Sequence, residues 1–282
     1  MGIDAEHRSA VGSVDRPASV VRSGGLDLTG KVALVTGAGS PTGIGFAVCR
    51  RLGELGATVA LTATTDRVHE RAAELEQSGM RATGLVADLT DPSAVDEVVG
   101  AVTGRWDRLE IVVNNAGMVS ITDDEATAGG ADGLAYDEWQ HSMRRNLDTA
   151  FLVTRAALPF MRRGGWGRIV MVSSVTGPVM AMRQDAAYAT AKAALVGLTR
   201  SLAVDLAADG ITANAVAPGW IATGSQTDDE RREGEVTPVR RSGTADEIAW
   251  PVAWLCTPGA SYLTGQCLVV DGGNSVAEQR AL

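Results

Sequence analysis

Seven short apolar runs, each too short to be a helix of its own, recur along this chain with helix-length segments between most of them. They are KVALVT (31–36), TVALT (58–62), RATGLVA (81–87), LEIVVNN (109–115), RIVMVSS (168–174), ITANAVA (211–217) and QCLVVD (266–271). Runs of this length, apolar throughout and bounded by Gly or polar residues, read as strands buried on both faces, which is the condition of a parallel sheet. The spacers read as helices from Gly43 to about Leu55, from about Asp66 to Gln77, from Pro92 to Arg105, from about Asp137 to Arg162, along AAYATAKAALVGLTRSLAVDL, and from Ala245 to Leu255. Asp91 is placed to cap the third of these, with Pro92 in its first turn. Parallel neighbours joined through helices require right-handed crossovers, which put helices on both faces of one sheet.

That architecture is α/β: a single Rossmann-type doubly wound parallel sheet over residues 28–282, preceded by a tail, 1–27, expected to be flexible. Ligands of such sheets sit beyond the carboxyl ends of the strands, where strand order reverses. The marked polar and Gly residues fall at those ends. Gly37, Gly39, Ser40, Thr42, Gly43, Ile44 and Gly45 follow the first strand, Ala63, Thr64 and Thr65 the second, and Asp88 and Leu89 the third. Asn115, Ala116 and Gly117 follow the fourth, Ser174 the fifth, and Pro218, Gly219, Ile221 and Thr223 the sixth. A Gly turn that leaves a strand and opens a helix lets the backbone approach a pyrophosphate and aims helix N–H groups at it. Ser40 and Thr42 are either hydroxyl donors to that phosphate or ordinary turn residues.

Tyr188 and Lys192 stand four residues apart in the Ala-rich stretch, so a phenol and an ammonium share one helix face. A cation held close favours the phenolate, and lowering a phenol from about 10 to near neutrality takes roughly 4 kcal/mol of differential interaction. Such a phenol can give a proton to a carbonyl oxygen or take one from an alcohol. Ser174 can offer its hydroxyl to the same oxygen, and is preferred to Ser173, which points to the other strand face.

Read together, TGAGSPTGIG (36–45), Asp88 in VADLTD, NNAG (114–117), Asn146 in RRNL, Ser174, YATAK, PGWIAT (218–223) and VVDGG resemble the short-chain dehydrogenase/reductase family over roughly residues 28–275. GATVALTAT and ITANAVAPGWIAT resemble in particular the bacterial 3-oxoacyl-[acyl-carrier-protein] reductases. One departure is the Gly turn, which has five residues between Gly37 and Gly43 where the family commonly has three. The resemblance implies a nicotinamide-dependent oxidoreductase whose catalytic residues are Asn146, Ser174, Tyr188 and Lys192. Asn146 would hold a water linking Lys192 to solvent, and Lys192 would also grip the nicotinamide ribose. Asp88 would meet the adenine amino group, Asn114 would line the adenosine side, and Thr223 would reach the carboxamide. Hydride would pass to the carbonyl carbon of a ketone or 3-oxoacyl substrate while Tyr188 supplies the proton. The resemblance further implies a homotetramer and a substrate lid in 219–242, where Trp220 and Ile221 either cover an apolar substrate or anchor the hinge. Met180 and Met182 are pocket candidates.

NAD-dependent relatives carry an acidic residue at the end of the second strand; here that place falls on Ala63, followed by Thr64 and Thr65, with Arg67 near. NADP(H) is therefore the expected cofactor and NAD(H) the alternative. An acyl carrier protein is a possible partner; Arg162, Arg163 and Arg168 are candidates for its basic patch, with ordinary solvated surface arginines as the favoured alternative. The formal charge of −9, with acids and bases interspersed, argues against nucleic acid, and no apolar run of about 18 residues suggests a membrane span. Three scattered His and three Cys without paired spacing suggest no metal site. The expected setting is cytoplasmic. A regulatory or scaffold protein on the same fold would need the Gly turn but has no use for Ser174, Tyr188, Lys192 and Asn146 together. An epimerase or dehydratase would need a larger substrate region than this chain holds.

Overall fold

The computed structural model describes residues 24–117 and 130–279. Seven strands form one wholly parallel sheet in the order β3-β2-β1-β4-β5-β6-β9. They are β1 (Val32–Val35), β2 (Thr58–Ala63), β3 (Ala82–Val86), β4 (Ile111–Asn114), β5 (Gly167–Val172), β6 (Ile211–Pro218) and β9 (Cys267–Val270). The period of two sorts each buried strand between two cores. Ala33 and Val35 of β1 face α1 (Ile44–Glu54), α2 (Arg67–Gln77) and α8 (Ala245–Leu255), while Val32 and Leu34 face α3 (Pro92–Trp106), α5 (Thr149–Gly164) and α6 (Ala186–Leu206). Strand order reverses between β1 and β4, and this opens the crevice at their carboxyl ends. Asp91 caps α3 as expected, its carboxylate accepting from Ser93 N–H at 2.9 Å.

Several expectations need correction. The helix expected over 137–162 is three pieces: α4 (Tyr136–Met143), a π-helical turn over Arg144–Asp148, and α5. Inside 219–242, expected as a loop, α7 (Asp228–Glu235) forms, and two-residue strands β7 (Ile221–Ala222) and β8 (Gly243–Thr244) pair at the loop's ends. The signal for α7 was present in TDDE: Thr227 accepts from Glu230 N–H while the Glu230 carboxylate returns to Thr227 N–H, a capping box. Residues 24–27, assigned to the tail, make a turn whose Gly25 carbonyl accepts from Gly259 N–H at 2.7 Å. The rest of that tail, 1–23, and most of the Gly-rich stretch near 120–136 lie outside the described residues.

The basic-patch expectation also fails. Arg168 is 2% exposed at the start of β5, its guanidinium spent on the carbonyls of Thr257, Gly167 and Gly210 and stacked 4.2 Å from the Trp166 ring. Arg162 and Arg163, at the end of α5, pair with Asp209 and Asp107. All three sit at the amino edge of the sheet, opposite the crevice.

Candidate active site

The crevice is built by clamping the segment after β4 onto the Gly turn after β1. Thr36 Oγ1 accepts from the N–H groups of Asn115 and Ala116 at 3.0 and 2.9 Å. The Asn115 amide donates to the carbonyls of Thr36 and Gly37 at 3.0 and 2.9 Å. A Cβ on Gly45 would lie 2.5 Å from that amide nitrogen and 2.6 Å from the Gly37 oxygen, so only glycine lets α1 start this close. Gly43 is the N-cap of α1, whose first turn carries no acid and leaves its N–H groups facing the crevice mouth.

The neighbouring Asn114 does not line the adenosine side. It is 3% exposed and donates to Thr154 Oγ1 at 2.9 Å, on the α5 side of the sheet, because successive strand residues alternate faces. Asp88 is exposed, its carboxylate taking Thr90 N–H and Oγ1–H at 3.0 and 2.8 Å. Leu89 is 5% exposed with its side chain in the core, leaving only its backbone for a ligand. Ala63 is half-buried at the end of β2; Thr64 and Thr65 are exposed, and Arg67 Nε donates to Thr65 Oγ1 at 3.2 Å. Thr42 Oγ1 accepts from Gly224 N–H at 2.8 Å, tying the Gly turn to the segment after β7 and leaving the Thr42 hydroxyl proton free to donate. Pro218 and Gly219 close β6, Ile221 opens β7, and Thr223 exchanges a 2.8 Å hydrogen bond with Ser225.

Next to this cradle stand the four residues expected to be catalytic. The Ser174 hydroxyl acts on the Tyr188 phenol and favours its ionised form, while Ser174 Oγ accepts from Thr176 N–H at 3.1 Å. Ser173 turns away and donates to the Lys192 carbonyl at 2.8 Å, pinning α6 to β5. Lys192 is 2% exposed; its Nζ donates to the Val172 carbonyl at 3.1 Å and lies 5.5 Å from the Tyr188 ring centroid. The segment from Ser174 to Asp185 presses on α6 through Gly177, which holds φ +107°; a Cβ there would lie 2.1 Å from the Ala189 carbonyl oxygen. Asn146 sits in the π-turn, 2% exposed. Its Nδ2 donates to Ser142 O at 3.2 Å, while its Oδ1 has no partner among the described residues and lies 2.8 Å from where a Gly117 Cβ would be. Single π-turns inside helices recur at functional sites, and the polar, buried, half-satisfied Asn146 is what this one presents.

The electrostatics depart from the sequence expectation. The phenol is not drawn toward neutrality: burial pushes Tyr188 up to about 12, the Ser174 hydroxyl pulls it down, and the carboxylates of Asp185 and Glu230 push it further up. Burial pulls Lys192 down to about 8. Burial raises Asp185 to about 6. Sequence reasoning missed Asp185 and Glu230 as neighbours of the phenol. Asp185 could have been found from its place three residues before Tyr188; Glu230 could not, because only the fold of α7 brings it there.

A strand-end crevice with a Gly cradle and a Ser–Tyr–Lys–Asn cluster can be compared with known proteins. A family model described as Enoyl-(Acyl carrier protein) reductase matches residues 37–275. The chain belongs to the short-chain dehydrogenase/reductase family. It is 40% identical over 254 residues to the 3-oxoacyl-[acyl-carrier-protein] reductase FabG of Pseudomonas aeruginosa, covering 88% of this chain and 98% of that one. It is 37% identical over 263 residues to the oxidoreductase UcpA of Escherichia coli, covering 89% and 97%. Among solved structures it resembles a candidate NAD(P) dependent gluconate 5-dehydrogenase from Beutenbergia cavernae with NADP bound at low occupancy. That likeness has a TM-score of 0.81 at 35% identity and covers 90% of this chain and all of the other. The short-chain dehydrogenase/reductase described here is thus an oxidoreductase that uses a nicotinamide cofactor on a small-molecule substrate. Among the described residues, no helix is long and apolar enough to cross a membrane.

Proposed function

We propose that this protein reduces a ketone or 3-oxoacyl carbonyl with NADPH, Tyr188 acting as general acid, within a single domain over 28–282. The observation that carries the reading is the grouping of Ser174 and the Tyr188 phenol at the carboxyl edge of the sheet, with Lys192 buried on the same helix face as Tyr188 and the Gly cradle alongside. The residues fit the cofactor: Gly45 leaves space a Cβ would fill, and the first turn of α1 holds N–H donors without a competing carboxylate. Gly37 to Gly45, Ala63 to Thr65, Asp88, Asn115 to Gly117, Lys192 and Pro218 to Thr223 would hold it. The nicotinamide supplies the hydride. Ser174 and Tyr188 place two hydroxyl donors on one substrate oxygen and stabilise the negative charge that develops there. Tyr188 then gives its proton to that oxygen. Lys192 keeps a positive charge near the phenol as it ionises, and Asn146 Oδ1 offers an acceptor for a proton path behind it.

The preference for NADPH rests on Ala63, which stands where a carboxylate would repel a 2′-phosphate, and on the hydroxyls of Thr64 and Thr65 beside it, with Arg67 adding charge and Asp66 opposing it. The NADP in the Beutenbergia relative supports the same reading. Self-association as a homotetramer is supported by apolar side chains left at the surface. These are Phe151 on α5 and Val204 on α6, and Trp250 and Trp254, which with Leu26, Leu55 and Pro251 line an apolar hollow of about 330 Å³. Tyr188→Phe tests the chemistry. It deletes the proton donor and little else, so carbonyl-dependent oxidation of NADPH should vanish while cofactor affinity stays. A variant keeping a tenth of the activity would remove Tyr188 from the role of acid.

A further inference from the structure

We propose that the hydrogen bond between Thr42 and Gly224 is a strap across the cofactor crevice, so that the nicotinamide dinucleotide enters and leaves only when this bond parts. The inference rests on the cofactor site described above and not on the identity of the substrate.

The strap is made by two tight turns that meet tip to tip. Over Ser40, Pro41, Thr42 and Gly43 the Gly43 N–H donates to the Ser40 carbonyl at 3.2 Å, a β-turn with Pro and Gly at the second and fourth places, where the type I form favours them. This turn fills most of the five-residue stretch between Gly37 and Gly43 that sets the Gly turn of this chain apart. Pro41 stiffens the corner, and Thr42 stands exposed at the tip. Facing it, Thr223 to Gln226 form a second turn: Gln226 N–H donates to the Thr223 carbonyl at 3.0 Å, and the Thr223 and Ser225 hydroxyls lie 2.8 Å apart. From its tip the Gly224 N–H donates to Thr42 Oγ1 at 2.8 Å. A Cβ on Gly224 would lie 2.9 Å from that oxygen, so a side chain at 224 would push the two tips apart.

The place of this contact in the sheet gives it a use. The Thr42 turn leaves β1 and the Gly224 turn follows β6 and β7, while β4 and β5 stand between β1 and β6. The bond therefore joins segments rooted three strand spacings, roughly 14 Å, apart. The ring it closes spans the carboxyl ends of β4 and β5, which lead into Asn115 to Gly117 and toward Ser174. A dinucleotide held by the Gly turn on one side and by Pro218 to Thr223 on the other passes through that ring. The segment 219–244 does not depend on the strap for its shape. Its ends pair as β7 and β8, Gly243 N–H donates to Trp220 O at 2.8 Å, and Gln226 Nε2 donates to Ser242 Oγ at 2.7 Å. One solvent-exposed hydrogen bond adds little to stability, so parting it moves a formed body rather than unfolding one. Motions of that kind govern ligand exchange in many enzymes.

The test measures release of NADPH, and of NADH, by stopped-flow fluorescence after mixing the loaded protein with excess oxidised cofactor. Thr42→Val keeps the shape and removes the acceptor, and Gly224→Ala opens the contact from the other side while keeping the Thr42 hydroxyl. Each should release the dinucleotide about fivefold faster, the ratio that one net hydrogen bond supplies, and should bind it correspondingly faster. The double variant should be no faster than either single one, because both remove the same contact. Thr42→Ser, which keeps the acceptor, should release at close to the wild-type rate. In the free protein, amide hydrogen exchange at Gly224 should quicken in Thr42→Val. Release from both Thr42→Val and Gly224→Ala at the wild-type rate would overturn the strap and leave the cofactor site standing, as would effects of the two that multiply. Failure of the wild type to bind either dinucleotide would overturn the site and the strap with it.

Discussion

Replacing Lys192 by Met should make the protein more stable and less active, and the size of the gain follows from the burial of the ammonium. Lys192 is 2% exposed, and burial brings its ammonium from the ordinary 10.5 down to about 8. That displacement corresponds to about 3 kcal/mol spent on keeping the charge inside the fold at neutral pH. The methionine chain fills a similar volume without charge and forgoes the 3.1 Å hydrogen bond to Val172 O, worth about 1 kcal/mol. A net gain of about 2 kcal/mol remains, which for a chain of this size raises Tm by roughly 4–8 °C.

The pH dependence identifies the cause. The folded-state value lies below the unfolded one, so the unfolded chain binds more protons between them and wild-type stability rises from about pH 8 toward 10.5. The advantage of Lys192→Met should be complete below pH 8, fall through zero before pH 10.5 and reverse above it, where only the lost hydrogen bond, about 1 kcal/mol, remains. Urea unfolding of both proteins from pH 6 to 11 measures it, with NADPH turnover followed in parallel. A variant less stable than wild type at pH 7, or a difference that stays constant across that window, would refute the reasoning.

Gly177→Ala forces a Cβ to 2.1 Å from the Ala189 carbonyl and strains a φ of +107°, so it should lower Tm by several degrees and cut kcat through displacement of Ser174, both read from melting curves and steady-state rates. Ala63→Asp places a carboxylate at the end of β2 and should reduce kcat/KM with NADPH far more than with NADH; a wild type already faster with NADH would contradict the cofactor assignment. Light scattering at micromolar concentration should give four times the chain mass, and Trp250→Ser with Trp254→Ser should lower it.

Period and length carried most of the fold in the sequence. Strands such as VALV, and GRIVMV beyond Arg168, are apolar at every position because both faces are covered, the condition of a parallel sheet. The grouping of Ser174, Tyr188 and Lys192 was legible because they lie on one strand end and one helix face, where spacing fixes geometry. What escaped depends on contacts between distant segments. Nothing local marks the π-turn, since Arg144–Asp148 has ordinary helix formers, and the side chain it displaces, Asn146, reads as an unremarkable polar residue. Asn114 and Asn115 are adjacent and chemically identical; only strand register decides that one clamps the Gly turn and the other meets Thr154. Arg168 looks like a surface base in isolation and becomes a buried brace because Thr257 and Gly210 arrive from elsewhere with free carbonyls.

The spacing of Tyr188 and Lys192 suggested a phenol lowered by its neighbour, and the fold does the opposite for a reason that bears on mechanism. Lys192 spends a donor on Val172 O and stands 5.5 Å from the ring, while Asp185 and Glu230 oppose ionisation of the phenol. A phenol near 12 keeps its proton throughout the neutral range, so the acid form is present in essentially every molecule when a carbonyl binds. In the reduction proposed above, hydride addition to a ketone would generate an alkoxide, a much stronger base than any phenolate, so transfer from Tyr188 would be downhill even at that value. The phenolate left behind is then reprotonated readily at neutral pH. Alcohol oxidation would need the reverse, a phenolate before reaction, which burial and the carboxylates of Asp185 and Glu230 disfavour. The side chains around Tyr188 therefore favour proton donation, and oxidation through this site depends on raised pH or on positive charge brought by the bound nicotinamide.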